Sequence, residues 1–91
     1  MDFEWDAAKC RANLAKHGVD FLEVEAIFQG GLLVEPSLYA GEQRFRALGL
    51  LRGRVFAVIY TMRGDVYRVI SVRRARHEER EAYRAAFGTG A

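Results

Sequence analysis

The sequence is poor in the residues that build covalent or metal-bound frameworks. Cysteine occurs once, as Cys10, and histidine twice, as His17 and His77, which stand sixty residues apart. A single cysteine excludes an internal disulfide and a zinc site made of thiolates, and two distant histidines do not form a metal-ligand pattern. We therefore expect a domain that uses neither a bound metal nor another cofactor.

Long hydrophobic runs are also missing. No apolar stretch approaches the roughly 20 residues that are needed to span a bilayer, and residues 1–6 are acidic rather than a hydrophobic export signal. Apolar residues nevertheless make up 51% of the 91-residue chain, which is typical of a folded protein rather than a disordered one. The sequence predicts one cytoplasmic domain over residues 1–91, without a membrane partner.

Lysine is absent from residues 44–84, although this segment is strongly basic. It holds eleven arginines against four carboxylates, a balance of +7, whereas residues 1–43 hold three basic residues against eight carboxylates, a balance of −5. Because a guanidinium stays charged and can donate two hydrogen bonds to one phosphate, a basic half made only of arginine indicates a nucleic-acid partner. An acidic protein is the alternative partner for such a surface.

Capping and turn residues predict two helices near the start of the chain. After a short strand at residues 3–5, Asp6 is placed to cap a helix over residues 7–17, which Gly18 ends in a left-handed conformation. Asp20, with Glu23 three residues later, predicts a second helix that stops at residues 30–31.

Four strands and one helix are expected in the rest of the chain. The strands cover residues 32–35, 43–51, 55–61 and 66–72, with a loop at 36–41, and short turns favour antiparallel hairpins. In the last strand, alternation places Val66, Arg68, Ile70 and Val72 on one face, and Tyr67, Val69, Ser71 and Arg73 on the other. With a final helix over residues 76–87, the order β-α-α-β-β-β-β-α indicates an α+β domain built on a twisted antiparallel meander.

Arginines supply the candidate phosphate-binding groups. They fall on the predicted sheet and its edges and, at a spacing of four residues, on one face of the last helix: Arg44, Arg46, Arg63, Arg68, Arg73, Arg74, Arg76, Arg80 and Arg84. A solvated helix face is the alternative interpretation of the helical row. Arg68 interrupts an apolar strand face, so it either opens onto a cleft or pairs with Asp65 or an N-terminal carboxylate.

Three other side chains have two interpretations each. His17 ends the first helix, where it is a general acid or base, or a cap for the last carbonyls. Ser71 has no triad partner nearby in sequence, which favours a simple hydrogen bond. Trp5 packs on Cys10 beside the helix start, or stacks on a nucleic-acid base.

An ordered set of short motifs runs through the chain from residue 3 to residue 83. It consists of Phe3-Glu4-Trp5-Asp6, Lys9, residues 13–21 (NLAKHGVDF), residues 26–28 (AIF), residues 41–45 (GEQRF) with Gly49, residues 60–65 (YTMRGD), residues 68–75 (RVISVRRA), Glu79-Arg80 and Tyr83. At these spacings the sequence resembles the BrnT family of toxins. It departs from the family pattern at Val72, where alanine is usual, and at Arg76, where a threonine commonly caps the last helix.

The resemblance implies a type II toxin–antitoxin system and a fold similar to that of the RelE-type ribonucleases. Such toxins cleave RNA, slow translation and growth, and are neutralised by a BrnA-type antitoxin, typically in a heterotetramer. Operator DNA is then bound only through the antitoxin.

The resemblance also implies site residues. Those expected to act in catalysis are Lys16, His17, Arg63, Arg73 and Arg74, and those expected to bind RNA are Arg44, Arg68, Ser71, Arg80 and, more weakly, Trp5. The expected reaction is metal-independent cleavage by the RNA 2′-hydroxyl, with His17 as acid or base and arginines holding the phosphate. The alternatives are a non-catalytic nucleic-acid-binding module and an inactive toxin that acts only in a DNA-binding complex.

Overall fold

A five-stranded sheet with helices on both faces is the framework of the computed structural model, which describes residues 1–88. In chain order the elements are β1 (Asp2–Glu4), α1 (Ala7–His17), a 3₁₀ turn (Phe21–Glu23), α2 (Val24–Phe28), β2 (Leu33–Tyr39), β3 (Glu42–Leu51), β4 (Arg54–Arg63), β5 (Val66–Arg74) and α3 (His77–Phe87). The α+β class is therefore confirmed. No helix within residues 1–88 is long and apolar enough to cross a membrane.

The sheet is mixed, not purely antiparallel as the sequence predicted. Its strand order is β1-β5-β4-β3-β2. The strands β2 to β5 form the expected meander, but β1 lies parallel to β5, with Asp2 opposite Val66 and Glu4 opposite Arg68. This pairing joins segments that are 64 positions apart in sequence, so the short turns that predicted the hairpins contain no signal for it.

The prediction of two full N-terminal helices is wrong. The bounds of α1 and its caps are confirmed, since Asp6 accepts from the backbone N–H of Lys9 and Gly18 is left-handed. Asp20 instead caps a 3₁₀ turn by accepting from the N–H of Leu22. Only the five residues of α2 follow before the chain turns at Gly30. Of the helices that precede β2, only α1 is therefore long.

The strand β2 extends through the segment that was predicted to be a loop. It continues over Pro36 to Tyr39, and the turn is confined to Ala40 and Gly41, whose φ angles are 51° and 80°. Because β2 is at the edge of the sheet, the missing N–H of Pro36 is tolerated there.

A β-bulge breaks the predicted alternation of β5. Tyr60 pairs with Val69, but Ile59 pairs with Ser71, so Ile70 is the extra residue. As a result Val72 is buried in the same core as Val69, although alternation placed the two on opposite faces. The bulge also brings Ile70 and Ser71 together toward the surface depression described below.

The helices cover the sheet unequally. On one face, Phe21, Val24 and Ile27 are fully buried in the main core. On the other face, α3 covers one end, where Tyr83 packs with Leu48 and other buried residues. The opposite end of that second face is left without a helix among the described residues, and its side chains are largely charged.

Candidate nucleic-acid interface

Two adjoining depressions form a groove between α1 and the uncovered end of the sheet. Their volumes are about 240 and 130 Å³, and both are lined by Lys9 and Ile70. The other lining residues are Ala12, Asn13, Lys16, His17 and Ser71 in the first, and Glu42, Arg44, Thr61, Arg63 and Arg68 in the second. We call these residues together the cationic groove, since its lining holds five cations and His17 against one carboxylate.

The helix α1 brings Lys9, Lys16 and His17 to the groove. Its start is fixed by Asp6, and its end by Gly18, whose N–H donates to the carbonyl of Leu14 at 2.9 Å. Between these caps, Asn13 is buried and hydrogen-bonded to the backbone of Val72. These hydrogen bonds hold α1 against β5, so that Lys9 and Lys16 lie on the side of the helix that faces the groove.

Two of the groove arginines already have carboxylate partners. Arg68 donates to Glu4 at 3.0 Å, which is the N-terminal partner that the sequence had suggested. Arg44 donates to Glu42 at 2.8 Å, and its guanidinium lies 4.3 Å from the ring centre of Tyr39. All four charged groups remain partly exposed, so these pairs orient the arginines at a small energetic gain.

Arg63 and Lys9 are different, because neither side chain makes a hydrogen bond or ion pair with any residue in the described part of the chain. The positive charges of Arg63 and Lys9 nevertheless act on the Glu42 carboxylate in the groove. The hydrogen bond from Arg44 lowers the pKa of the Glu42 carboxyl, and attraction by Arg63 and Lys9 lowers it further. An anion entering the groove meets the same field, so the lining favours phosphate over a neutral ligand.

Ser71 lies beside Asn13 in the groove. Its hydroxyl is 3.5 Å from the Asn13 side-chain oxygen, at the long limit of a hydrogen bond. The predicted hydrogen-bonding role is thus only weakly satisfied within the protein, and the hydroxyl remains available to a ligand.

Arg73 lies outside the groove lining and is engaged in an ion cluster. It donates two hydrogen bonds to Glu79, at 2.8 and 2.9 Å, and Arg46 donates a third at 3.1 Å. The carboxylate of Glu79 is only 5% exposed and also accepts from the N–H of Arg76. These partners, Arg73 first, lower the pKa of Glu79 to about 2 in spite of its burial.

Three more of the predicted site residues also lie outside the groove lining. Arg74 is exposed, with its guanidinium 5.9 Å from the ring centre of Phe56, and Arg80 donates to the carbonyl of Ala75 at 2.8 Å. Trp5 packs edge-on against Phe21 in the main core. The structure therefore brings together Lys16, His17, Arg44, Arg63, Arg68 and Ser71, and leaves Arg73, Arg74, Arg80 and Trp5 elsewhere.

Sequence reasoning missed the two α1 residues Lys9 and Asn13 as members of the site. A signal was present, because Lys9, Asn13 and Lys16 are spaced to lie on one side of a helix. What the spacing did not reveal is that this side meets the bulge of β5.

The chemistry open to the groove is anion binding with a nearby proton donor or acceptor. Imidazole is the usual general acid or base near neutral pH, and clustered guanidinium and ammonium groups stabilise charge that develops on a phosphate. Across residues 1–88, no three His, Cys, Asp or Glu side chains are grouped so that they could hold a metal ion.

A comparison with protein families agrees with this chemistry. The model of the family described as the ribonuclease toxin BrnT of type II toxin–antitoxin systems matches residues 5–79. This span contains every residue of the cationic groove. No curated protein was found to match the chain.

Proposed function

Because the chain belongs to the BrnT family of ribonuclease toxins of type II toxin–antitoxin systems, we propose that its cationic groove binds RNA and cleaves the backbone without a metal ion. The observation that carries the proposal is the meeting of five cations and His17 in one groove with a single lining carboxylate. Arg63 and Lys9, which have no ion-pair partner among the described residues, are the groups best placed to take a phosphate.

The proposed reaction is transfer of the phosphoryl group to the neighbouring 2′-oxygen. The 2′-hydroxyl loses its proton to a base and attacks the phosphorus, the bond to the 5′-oxygen breaks, and an acid protonates that oxygen. The products are a 2′,3′-cyclic phosphate and a 5′-hydroxyl. His17 acts as acid or base and Lys16 assists it, while Arg63 and Arg68 stabilise the negative charge on the phosphorane.

The remaining predicted contacts are assigned by position. Arg44 and Ser71 line the groove and contact the bound strand there. Arg74 and Arg80 bind flanking phosphates, since they lie outside the groove lining. Arg73 acts mainly by holding Glu79, so its effect on cleavage comes through the fold of the β5–α3 junction.

The partner proposals follow from the family. We propose that a BrnA-type antitoxin neutralises the protein in a heterotetramer, that operator DNA is bound only through this antitoxin, and that the fold is similar to that of the RelE-type ribonucleases. The sheet flanked by helices on both faces supports this last likeness.

The test is cleavage of a defined RNA and of total RNA in EDTA by the wild type and two matched pairs of variants. The first pair is His17→Ala against His77→Ala, a histidine that is 73% exposed on α3. The second is Arg63→Ala against Arg54→Ala, since both arginines are exposed at the two ends of β4. We expect losses of about 10²–10⁴-fold for His17→Ala and about 10²-fold or more for Arg63→Ala, with both controls within about two-fold of the wild type.

The possible results separate the candidate functions. Binding of RNA without fragments, on free RNA and on translating ribosomes alike, would favour the non-catalytic module. Fragments that appear only when a metal ion is added would refute metal independence alone. Equal losses in His17→Ala and His77→Ala would remove the acid–base role of His17 while leaving the role of Arg63 testable.

A further inference from the structure

A second cavity lies on the acidic part of the molecule and shares no lining residue with the cationic groove. Its volume is about 360 Å³, and its walls come from β1 and the segment that leads into α2. The lining residues are Met1, Asp2, Phe3, Trp5, Phe21, Leu22 and Glu25. A volume of this size is typical of a site that takes one or two large side chains or a small ligand.

The floor of this cavity is apolar and its rim is acidic. Phe21 is fully buried, whereas Met1 and Leu22 leave 72% and 71% of their surface exposed. The carboxylates of Asp2 and Glu25 make no ion pair with any of residues 1–88, and none of the lining side chains is a lysine, arginine or histidine. Exposed apolar side chains beside a half-buried tryptophan are typical of the centre of a protein–protein interface.

The charge of the rim decides which partner fits. Unpaired carboxylates repel phosphate, so the cavity does not suit RNA, and Trp5 is poorly placed to stack on a base. We propose that the antitoxin inserts a large apolar side chain, flanked by lysine or arginine, into this acidic-rimmed cavity. The inference rests on the proposed function, because it takes the partner to be the antitoxin of a type II system.

A second exposed apolar group is less suited to this role. It follows the edge strand β2, where Leu38 and Tyr39 are 73% and 61% exposed. Pro36 removes a backbone donor from the middle of that edge, and the guanidinium of Arg44 already covers the ring of Tyr39. A partner strand therefore cannot pair continuously along β2, whereas the acidic-rimmed cavity is open to a partner side chain.

Matched variants test the proposal by titration of the toxin with the proposed BrnA-type antitoxin. Leu22→Lys removes an apolar contact and adds a charge that repels a basic segment, and Leu38→Lys makes the same change at an equally exposed leucine. Glu25→Lys reverses a rim charge, and Glu78→Lys reverses an exposed charge in the first turn of α3. We expect affinity to fall at least ten-fold in Leu22→Lys and about three- to ten-fold in Glu25→Lys, and to stay within about two-fold in both controls.

The salt dependence and the nuclease assay complete the test. The loss in Glu25→Lys should be concentrated in the association rate and shrink as salt is raised. All four variants should cleave RNA as the wild type does, and their melting temperatures should stay within about 5 °C of its value. If the wild type failed to cleave RNA but the affinity pattern held, the nuclease proposal alone would fail.

Three results would overturn the proposal. One is an equal loss of antitoxin affinity in Leu38→Lys and Leu22→Lys. Another is unchanged affinity in both cavity variants. The third is a change in the self-association of the toxin in Leu22→Lys without a change in antitoxin affinity, which would assign the cavity to a second copy of this chain.

Discussion

Asn13 pairs with the backbone of Val72 in the way that a neighbouring β-strand would. Its side-chain N–H donates to the Val72 carbonyl at 2.9 Å, and the Val72 N–H donates to its side-chain oxygen at 3.1 Å. The same amide also donates to the carbonyl of Val19 at 3.0 Å. Because β1 covers β5 only as far as Arg68, this one side chain closes the strand edge next to the groove and ties α1 to it.

The first prediction is that Asn13→Ala destabilises the protein by at least about 3 kcal/mol. The change leaves the N–H of Val72 and two carbonyls without partners in a site that is 7% exposed, and each buried unpaired group costs about 1–3 kcal/mol. Urea unfolding measures the loss. Cleavage should also fall at temperatures where the variant is still folded, because Lys16 and His17 are no longer held against β5.

Gln43→Ala is the matched control for this change. Gln43 also donates two hydrogen bonds to backbone carbonyls, at 2.9 and 3.0 Å, but it does so at an exposed site. Water replaces its bonds, so the expected cost is below about 1 kcal/mol. Similar costs for the two variants would mean that the amide of Asn13 is not the anchor of α1.

How much the sequence predicted depends on how local each interaction is. The ends of α1 and the short hairpin between β3 and β4 were predictable because caps and turn residues act within a few positions. The parallel pairing of β1 with β5 and the bulge at Ile70 were not, since both depend on contacts between distant segments. The short α2 shows the same limit, because Asp20 and Glu23 indicated where the helical segment starts but not how long the helix is.

The candidate site was predictable to a similar degree. Lys16, His17 and Arg63 were identified through their motifs, and the fold brings them to one groove. Arg73 and Arg63 look alike in sequence, as arginines near strand ends. Only the folded chain reveals that Arg73 meets a buried carboxylate whereas Arg63 does not, because the path from β5 into α3 decides it.

The second prediction concerns stability in acid. The folded-state pKa of Glu79, about 2, is below its ordinary value of 4.5, so ionised Glu79 stabilises the folded protein above about pH 4.5. This contribution, at most about 3 kcal/mol, is lost as the pH falls from about 4.5 to 2. In Glu79→Gln, the unfolding free energy should lack the decrease that protonation of Glu79 causes between about pH 4.5 and pH 2.

At neutral pH, Glu79→Gln should be less stable than the wild type by about 2–4 kcal/mol, since Arg46 and Arg73 lose a buried partner. Glu78→Gln, at the exposed neighbouring position, should change stability by no more than about 0.5 kcal/mol. Parallel curves for the wild type and Glu79→Gln below pH 4.5 would contradict the assigned pKa.

The third prediction is that Gly49→Ala destabilises the protein by about 1–3 kcal/mol. A Cβ at this position would lie 2.8 Å from side-chain carbons of Ile27 and Leu32, so the packing of α2 on β3 must open. Thermal or urea unfolding measures the effect. Gly30→Ala is the control, because a Cβ there meets nothing within 4 Å, and it should be neutral or slightly stabilising.

The fourth prediction is that Glu4→Gln increases the affinity for single-stranded RNA. The change releases Arg68 from a partly exposed ion pair, so stability should fall by less than about 1 kcal/mol. A released Arg68 is free to contact phosphate, which should raise affinity about two- to five-fold at low salt. If it makes one more phosphate contact, the slope of log affinity against log salt should become steeper by about 0.7.

Glu23→Gln separates this local effect from the change in net charge. It adds the same charge and releases Arg52 from an ion pair at 2.7 Å, but neither residue lines the groove. Its affinity and salt slope should therefore stay near those of the wild type. Equal gains in the two variants would show that net charge alone is responsible, and a loss of affinity in Glu4→Gln would show that Arg68 binds phosphate only when Glu4 orients it.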